Sequence, residues 1–165
     1  MVRCFTISLL LLLVSCHASD SNSPSSSVAQ AEAASELQTE SFKVQVMNLV
    51  NAYRDSKGVV RLIRTSALEE QIQTHMSDIT ERRMPFGHRG MNDRCRHART
   101  ELDSGNACGE IVAKGQKTPQ AVFDAWIASP KHRERMIEGR YNRVGVGLAM
   151  NEDGHLYWGL LFLQK

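Results

Sequence analysis

The sequence predicts an α+β domain in which the helices come first and a β-hairpin comes last. Apolar residues recur at helical spacing in segments 42–55 and 66–84, and Thr118 followed by a proline marks the start of a third helix. Between residues 144 and 150 the apolar period changes to two, Asp153-Gly154 turns the chain, and residues 155–163 return as a second strand. Helices followed by adjacent antiparallel strands are typical of the α+β class.

Residues 1–16 are typical of a signal peptide that ends in a lipobox. A single positive charge, on Arg3, precedes an apolar run at residues 5–14 that is too short to span a bilayer. Leu13-Val14-Ser15-Cys16 fits a lipobox, so Cys16 is the predicted lipidation site and the protein would be held at a membrane by its acyl chains. Cleavage after Ala18 is the alternative, and it would give a secreted protein.

Residues 17–40 are predicted to form a disordered, Ser-rich tether, because their polar side chains cannot bury enough surface to order the chain. Residues 29–37 are rich in Ala and Glu, and a frayed helix there is the alternative. The remaining segment, 41–165, has the length of one domain with its own core. We expect an extracytoplasmic domain, either lipid-anchored to the cell envelope (at the outer membrane if the cell is Gram-negative) or secreted.

Two cysteines remain in this domain, and their compartment predicts that they pair. Cys95 and Cys108 form an even set in an oxidising space. On the chain-entropy model, a disulfide closing a loop this short stabilises the fold by about 3 kcal/mol. Two buried free thiols are the alternative. A zinc site is disfavoured because neither the spacing nor a second cysteine pair fits one.

Two histidines and a carboxylate stand in three short segments that contain Gly or Pro beside the polar residue. The segments are 86–90, 108–113 and 129–133. Gly and Pro place side chains at turns or at the ends of elements. Neutral imidazoles and a carboxylate suit a divalent cation, zinc first among them. The candidate ligand-binding residues are therefore His88, Glu110 and His132, with His88 and His132 as the metal ligands.

Five motifs, in order and at compatible spacing, resemble one known family. They are Leu49-Val50-Asn51-Ala52-Tyr53-Arg54, Gly87-His88-Arg89-Gly90, Gly109-Glu110-Ile111-Val112-Ala113, Trp126-Ile127-Ala128-Ser129-Pro130-Lys131-His132-Arg133, and Arg143-Val144-Gly145-Val146-Gly147 with Tyr157-Trp158. The chain resembles the CAP superfamily of cysteine-rich secretory proteins, antigen 5 and plant pathogenesis-related class 1 proteins, in its bacterial form. The resemblance implies an α-β-α sandwich with a central, mainly antiparallel sheet between helices.

The resemblance also implies a site, from which this sequence departs at two positions. CAP sites often hold two His and two Glu, and His88, Glu110 and His132 match three of them. Ser129 stands where the second Glu belongs, and Ile111 replaces the usual Asn. Fewer carboxylates hold a hard cation less well, so the departure predicts weaker or zinc-like metal binding.

Three classes of function follow from these expectations. By resemblance, the domain is a binding module for a lipid, a glycan or an envelope protein. Alternatively, it is a metal-assisted hydrolase with Glu110 as the base, which the missing second Glu disfavours. A structural envelope protein is the third class. No H-E-x-x-H or G-x-S-x-G motif is present, so an enzyme is the less favoured class.

Each candidate also has a purely structural interpretation, as a turn residue or a hydrogen-bonding partner. The remaining histidines, His75, His97 and His155, are interpreted as surface or helix-face residues. A basic patch is a candidate for an anionic surface, with a solvated loop as the simpler alternative: Arg89, Arg94, Arg96, His97 and Arg99. No nucleic-acid partner is expected, since the sequence lacks a recognition-helix signature and an aromatic-studded basic strand.

Overall fold

The computed structural model of the protein describes residues 24–165. The predicted signal peptide, the lipidation of Cys16 and the start of the tether lie outside the described residues. The helices and strands of the described part are α1 (Pro24–Ser56), β1 (Ile63–Arg64), α2 (Ser66–Thr80), α3 (Met91–Leu102), β2 (Cys108–Lys114), α4 (Pro119–Ala128), α5 (Pro130–Met136), β3 (Arg143–Met150) and β4 (Leu156–Leu163). Among residues 24–165, no helix is both long enough and apolar enough to cross a membrane.

The four strands form one sheet in the order β1-β3-β4-β2. Strand β1 runs parallel to β3, while the β3–β4 and β2–β4 pairs are antiparallel. Apolar residues of α1, α4 and α5 pack on one face of the sheet, and those of α2 and α3 pack on the other. The predicted α-β-α sandwich with a mainly antiparallel sheet is therefore confirmed.

Glycines let helix α2 lie very close to strand β3. A Cβ atom at Gly145 would lie 2.2 Å from the carbonyl carbon of Leu68, and one at Gly147 would lie 2.7 Å from the carbonyl oxygen of Ile72. Both neighbours are backbone atoms and cannot move aside as a side chain can. The alternation of glycine with valine and leucine in β3 predicts such a close partner, and that prediction is confirmed.

Buried Arg54 joins helix α1 to the segment that carries His132. Its guanidinium donates to the carbonyl oxygens of Met136 at 2.6 Å and Tyr141 at 2.8 Å, and to that of Val60 at 2.7 Å. Burial lowers the pKa of this side chain, and hydrogen bonds to carbonyl oxygens compensate the loss of water around the charge. The end of α5 is thereby fixed to the body of the domain.

Helix α1 is longer than predicted. It begins at Pro24, so residues 24–40 are helical. The structure thus favours the alternative given for residues 29–37, a helix, over the disordered tether. Ala, Glu and Gln in this stretch have high helix propensity, and extending an existing helix is much easier than nucleating a new one. The side chains of residues 27–38 are exposed. The tertiary contacts of α1 are therefore concentrated in its second half, where Val46, Met47 and Val50 are buried.

The start of helix α2 differs from the prediction. The letters Ser66-Ala67-Leu68-Glu69 fit a capping box, but the structure does not form one: the N-cap is Thr65, and no side chain caps the helix. Glu69 pairs with Arg64 instead, with Oε1 2.6 Å from Nη2. A full charge nearby competes successfully with the backbone N–H for this carboxylate.

The segment between residues 86 and 109 is rich in Gly, Asn and Arg, a composition that predicts a long loop, but helix α3 occupies half of it. Helix α3 buries Cys95 and Ala98 against α2 and the sheet. The predicted Cys95–Cys108 disulfide is confirmed, with an S–S distance of 2.06 Å, and it joins α3 to the first residue of β2. Few apolar residues mark this helix, and the crosslink helps to hold it on the sheet.

Candidate functional site

A polar cavity of about 430 Å³ opens between strand β2, helix α5 and the turn before α3. Its lining residues are His88, Glu110, Ile111, Lys131, His132, Glu134, Arg135 and Glu138. All three sequence-predicted site residues thus border one cavity, although they come from three separate segments. We call this cavity the cleft.

Glu110 is the buried centre of the site. It lies on β2, and its side chain has no exposed surface. Its Oε2 accepts hydrogen bonds from Arg94 Nε at 2.9 Å and Arg94 Nη2 at 2.6 Å. Its Oε1 lies 2.9 Å from His88 Nδ1. Both oxygens of the carboxylate are therefore engaged, and a guanidinium balances its charge, as a buried carboxylate requires.

His88 is held by this carboxylate at the mouth of the cleft. The preceding residue, Gly87, has φ of 141°, a backbone conformation that residues other than glycine rarely adopt. Because Glu110 accepts at Nδ1, the neutral imidazole carries its proton there and leaves the Nε2 lone pair free. Half of the side chain is exposed, at 49%. Such an imidazole suits a metal ion or a ligand N–H or O–H group.

His132 reaches the cleft by a different route. Pro130 is the first residue of α5, which puts His132 at the third helical position. Within residues 24–165, no group hydrogen-bonds to its ring. Burial lowers the pKa of His132, and His88 nearby lowers it further. Its imidazole therefore stays neutral to a lower pH than a free one, so its lone pair remains available.

The rim of the cleft is charged. Glu138 accepts hydrogen bonds from Arg140 Nε at 3.0 Å and Nη2 at 2.9 Å, which lowers the pKa of its carboxyl to about 2. Arg135 donates to the hydroxyl oxygen of Tyr141 at 3.2 Å. Ile111 is the one apolar side chain among the residues that line the cavity. The surface suits a polar ligand better than an acyl chain.

The residues present fit a weak metal site better than a complete one. Among residues 24–165, no group of three or more His, Cys, Asp and Glu side chains is arranged to hold a metal ion. Glu110 borders the cleft, but its oxygens already accept from Arg94 and His88. Only the two imidazoles would then serve as protein ligands, and water or a bound ligand would have to complete a tetrahedral zinc.

Two residues of the site were not identified from the sequence. Arg94, assigned to an exposed basic patch, is buried against Glu110. His75, interpreted as a surface or helix-face residue, is buried on α2, and its Nε2 lies 2.8 Å from the carbonyl oxygen of Gly87. His75 could have been found, because it shares the apolar face of Ile72 and Ile79 at helical spacing. Arg94 has no such sequence signal.

Comparison with known families gives one match over most of the domain. The model of the cysteine-rich secretory protein family (CAP) matches residues 47–162. The uncharacterised protein YkwD of Bacillus subtilis is 27% identical over 155 residues, which cover 90% of this chain and 59% of that protein. The chain therefore spans little more than half of this relative's length.

Solved structures share the fold. An outer surface protein of Borrelia burgdorferi superimposes with a TM-score of 0.60 at 22% identity, over 72% of this chain and 89% of that one. An extracellular protein containing an SCP domain, from Bacillus anthracis, gives 0.64 at 20% identity, over 76% and 41%. A cysteine-rich secretory protein of Staphylococcus aureus gives 0.62 at 18%, over 76% and 39%. At these identities the likeness concerns the fold alone.

Proposed function

The chain belongs to the cysteine-rich secretory protein family, and we propose that it is an extracytoplasmic binding module whose cleft takes a polar ligand, a glycan unit first. The state of Glu110 carries this proposal: the carboxylate is buried, paired with Arg94 and hydrogen-bonded to His88. A buried carboxylate whose two oxygens are both hydrogen-bonded can fix the orientation of the His88 ring in a binding site. The volume of the cleft, about 430 Å³, suits a small ligand, and its charged rim supplies hydrogen-bonding groups.

The hydrolase alternative requires a base that can reach a proton on water or substrate. A general base works within hydrogen-bonding distance of that proton. Glu110 has no exposed side-chain surface, and Arg94 donates twice to one of its oxygens. One observation favours the hydrolase: a carboxylate that orients an imidazole is also how catalytic histidines are held. In a hydrolase, the base would therefore be His88 rather than Glu110.

We propose His88 and His132 as the two residues that would hold a divalent metal, zinc first. Glu110 would then hydrogen-bond the far nitrogen of a ligand histidine, an arrangement common around protein-bound zinc. A bound zinc ion would supply a Lewis acid for oxygen atoms of the ligand. Because protons compete with metal for imidazole, binding should weaken below about pH 6.

The anchor at Cys16 belongs to the same proposal. The family's secretory members and the lipobox-like Leu13-Val14-Ser15-Cys16 support a lipid-anchored form at the cell envelope. Cys16→Ser should release the protein from the membrane fraction or leave it unprocessed. A mature N-terminus at Ser19, found by mass spectrometry, would contradict lipidation and favour the secreted form.

Zinc and glycan titrations of the purified protein test the cleft. We expect zinc binding that is lost in His88→Ala and in His132→Ala but unchanged in His155→Ala, which alters an exposed histidine on the β3–β4 turn. A glycan array read with the same variants tests the ligand class. Equal zinc isotherms for all four proteins would contradict the metal site. Ester or peptide hydrolysis abolished by His88→Ala would favour the alternative.

A further inference from the structure

We propose that His75 is a positioning residue of the cleft: from helix α2 it holds the turn at Gly87, and so fixes the ring of His88. This inference rests on the proposed binding function of the cleft. It concerns a residue that lines no part of the cavity and that would touch neither metal nor ligand.

His75 contacts the backbone just before His88. Its Nε2 lies 2.8 Å from the carbonyl oxygen of Gly87. A carbonyl oxygen only accepts, so Nε2 carries the proton and donates. The carbonyl belongs to the peptide unit that leads into His88, and Gly87 has φ of 141°. Glycine populates positive and negative φ about equally. The hydrogen bond from His75 therefore helps to select one of these conformations at Gly87.

The two supports of His88 converge at one point. The carboxylate of Glu110 holds the ring at Nδ1, and His75 holds the preceding peptide unit. His75 Nε2 also lies 3.9 Å from Glu110 Oε1, with no exposed surface on either side chain. A ring fixed both through its backbone and through Nδ1 has little freedom left. Its Nε2 lone pair is then directed before a ligand arrives, which reduces the entropy lost on binding.

Packing alone does not explain an imidazole at this position. His75 shares its face of α2 with Leu68, Ile72, Met76 and Ile79, where an apolar side chain would pack as well. Its Nδ1 atom is buried and, within residues 24–165, has no hydrogen-bond partner. A buried lone pair without a donor destabilises a fold. The unpartnered Nδ1 of His75 therefore lowers the stability of the fold, while its Nε2 holds the turn.

Two amide substitutions in the full-length protein separate positioning from packing. The side chain of Gln extends far enough to place an N–H where Nε2 is, whereas that of Asn is too short. We expect zinc affinity, measured by chelator competition, to stay within about threefold of wild type in His75→Gln. In His75→Asn it should fall by about tenfold, the lower end of the range found when a group directly bonded to a ligand histidine is lost, because His75 acts one peptide unit away.

A third variant and a second measurement cover the case in which the Asn variant does not fold. His75→Met fills the space without a donor. It leaves the Gly87 carbonyl without its donor but also removes the buried, unpartnered Nδ1, so the variant should still fold, yet bind zinc as weakly as His75→Asn. Hydrogen exchange of residues 86–90, followed by mass spectrometry, should be faster in His75→Met without added metal, while exchange within β3 is unchanged.

The outcomes separate this inference from the proposed function. If His88→Ala loses zinc while His75→Met keeps both wild-type affinity and wild-type exchange at 86–90, the role of His75 is wrong and the cleft stands. If His88→Ala binds zinc as wild type does, the zinc site itself is wrong. In that case unchanged exchange in His75→Met would still overturn the positioning role, because that readout needs no metal.

Discussion

The two histidines of the cleft are held in different ways. His88 follows Gly87 in a turn; its ring is hydrogen-bonded to buried Glu110, and the carbonyl oxygen of Gly87 to buried His75. His132 stands on helix α5, a regular element whose end is fixed by Arg54, but its ring receives no hydrogen bond from any described residue. One ring is thus positioned by side-chain contacts and the other by its backbone.

This difference shows where the site can tolerate change. The side of the cleft around His88 depends on buried polar groups, which destabilise a fold when any partner is removed. The side around His132 depends on the start and the anchoring of a helix, so substitutions of exposed α5 side chains should alter binding without altering stability. The predictions below test this contrast, beginning with the largest expected effect.

Removal of Glu110 should cause the largest loss of stability. Glu110→Ala leaves the buried guanidinium of Arg94 without its carboxylate, and breaking a buried ion pair on one side costs about 3–5 kcal/mol. Glu134→Ala, an exposed acid on the other side of the cleft, is the control and should change stability by less than about 0.5 kcal/mol. Urea unfolding measures the stability of both variants. Similar losses of stability would contradict the contrast between the two sides of the cleft.

Removal of the disulfide should cause the next largest loss of stability. The double variant Cys95→Ser/Cys108→Ser frees helix α3 from β2, and we expect the free energy of unfolding to fall by about 3 kcal/mol. Since Arg94 is the neighbour of Cys95, hydrogen exchange should also rise around residues 86–94 but not in α5. Uniformly faster exchange over the whole domain would mean that the crosslink stabilises both sides of the cleft alike.

Substitutions of the two cleft histidines should change the free energy of unfolding by smaller amounts, and by different ones. His88→Ala removes one hydrogen bond to the Glu110 carboxylate. Because the His88 ring is half exposed, we expect a loss of about 1 kcal/mol. His132→Ala removes no hydrogen bond and should stay within about 0.5 kcal/mol. Thermal unfolding of the two variants at pH 7 gives the comparison, and a larger loss in His132→Ala would reverse it.

The pH dependence of stability should show the smallest effect. Burial lowers the pKa of His75 in the folded protein, so the unfolded chain takes up a proton there first as pH falls. Stability rises with pH wherever the unfolded state binds more protons. The free energy of unfolding should therefore decrease below about pH 6.5, the ordinary imidazole pKa. Burial lowers the pKa of His132 as well, so His75→Gln should flatten the profile in part, and an unchanged profile would assign the acid sensitivity to other groups.

Much of the fold follows from the sequence, but the buried side of the site does not. Helical spacing, the Thr118-Pro119 start and the glycines of β3 identify the elements and the close approach of α2. The family motifs identify His88, Glu110 and His132. Arg94 and Glu110 pair because of the way in which α3 packs on β2. That packing depends on contacts between residues that are far apart in sequence. In the sequence, Arg94 looks like any other arginine of the exposed basic patch.

In helix α1 the sequence signal was present, but the favoured prediction did not follow it. Residues 24–40 have a composition that predicts disorder, because they offer no apolar face to bury. The structure nevertheless continues the helix through them. Helix propensity was present in the Ala and Glu residues, and the missing information was that a packed helix lies directly after them.

The most direct test of the account is the protonation pattern of the two cleft histidines. Long-range proton–nitrogen NMR of the metal-free protein above pH 7.5, a value chosen to lie about one unit above the ordinary imidazole pKa, reports which ring nitrogen carries hydrogen. We predict that His88 is held as the Nδ1–H tautomer, donating to Glu110, while His132 samples both tautomers. A His88 ring protonated at Nε2, or averaged like His132, would contradict the claim that a buried carboxylate orients it.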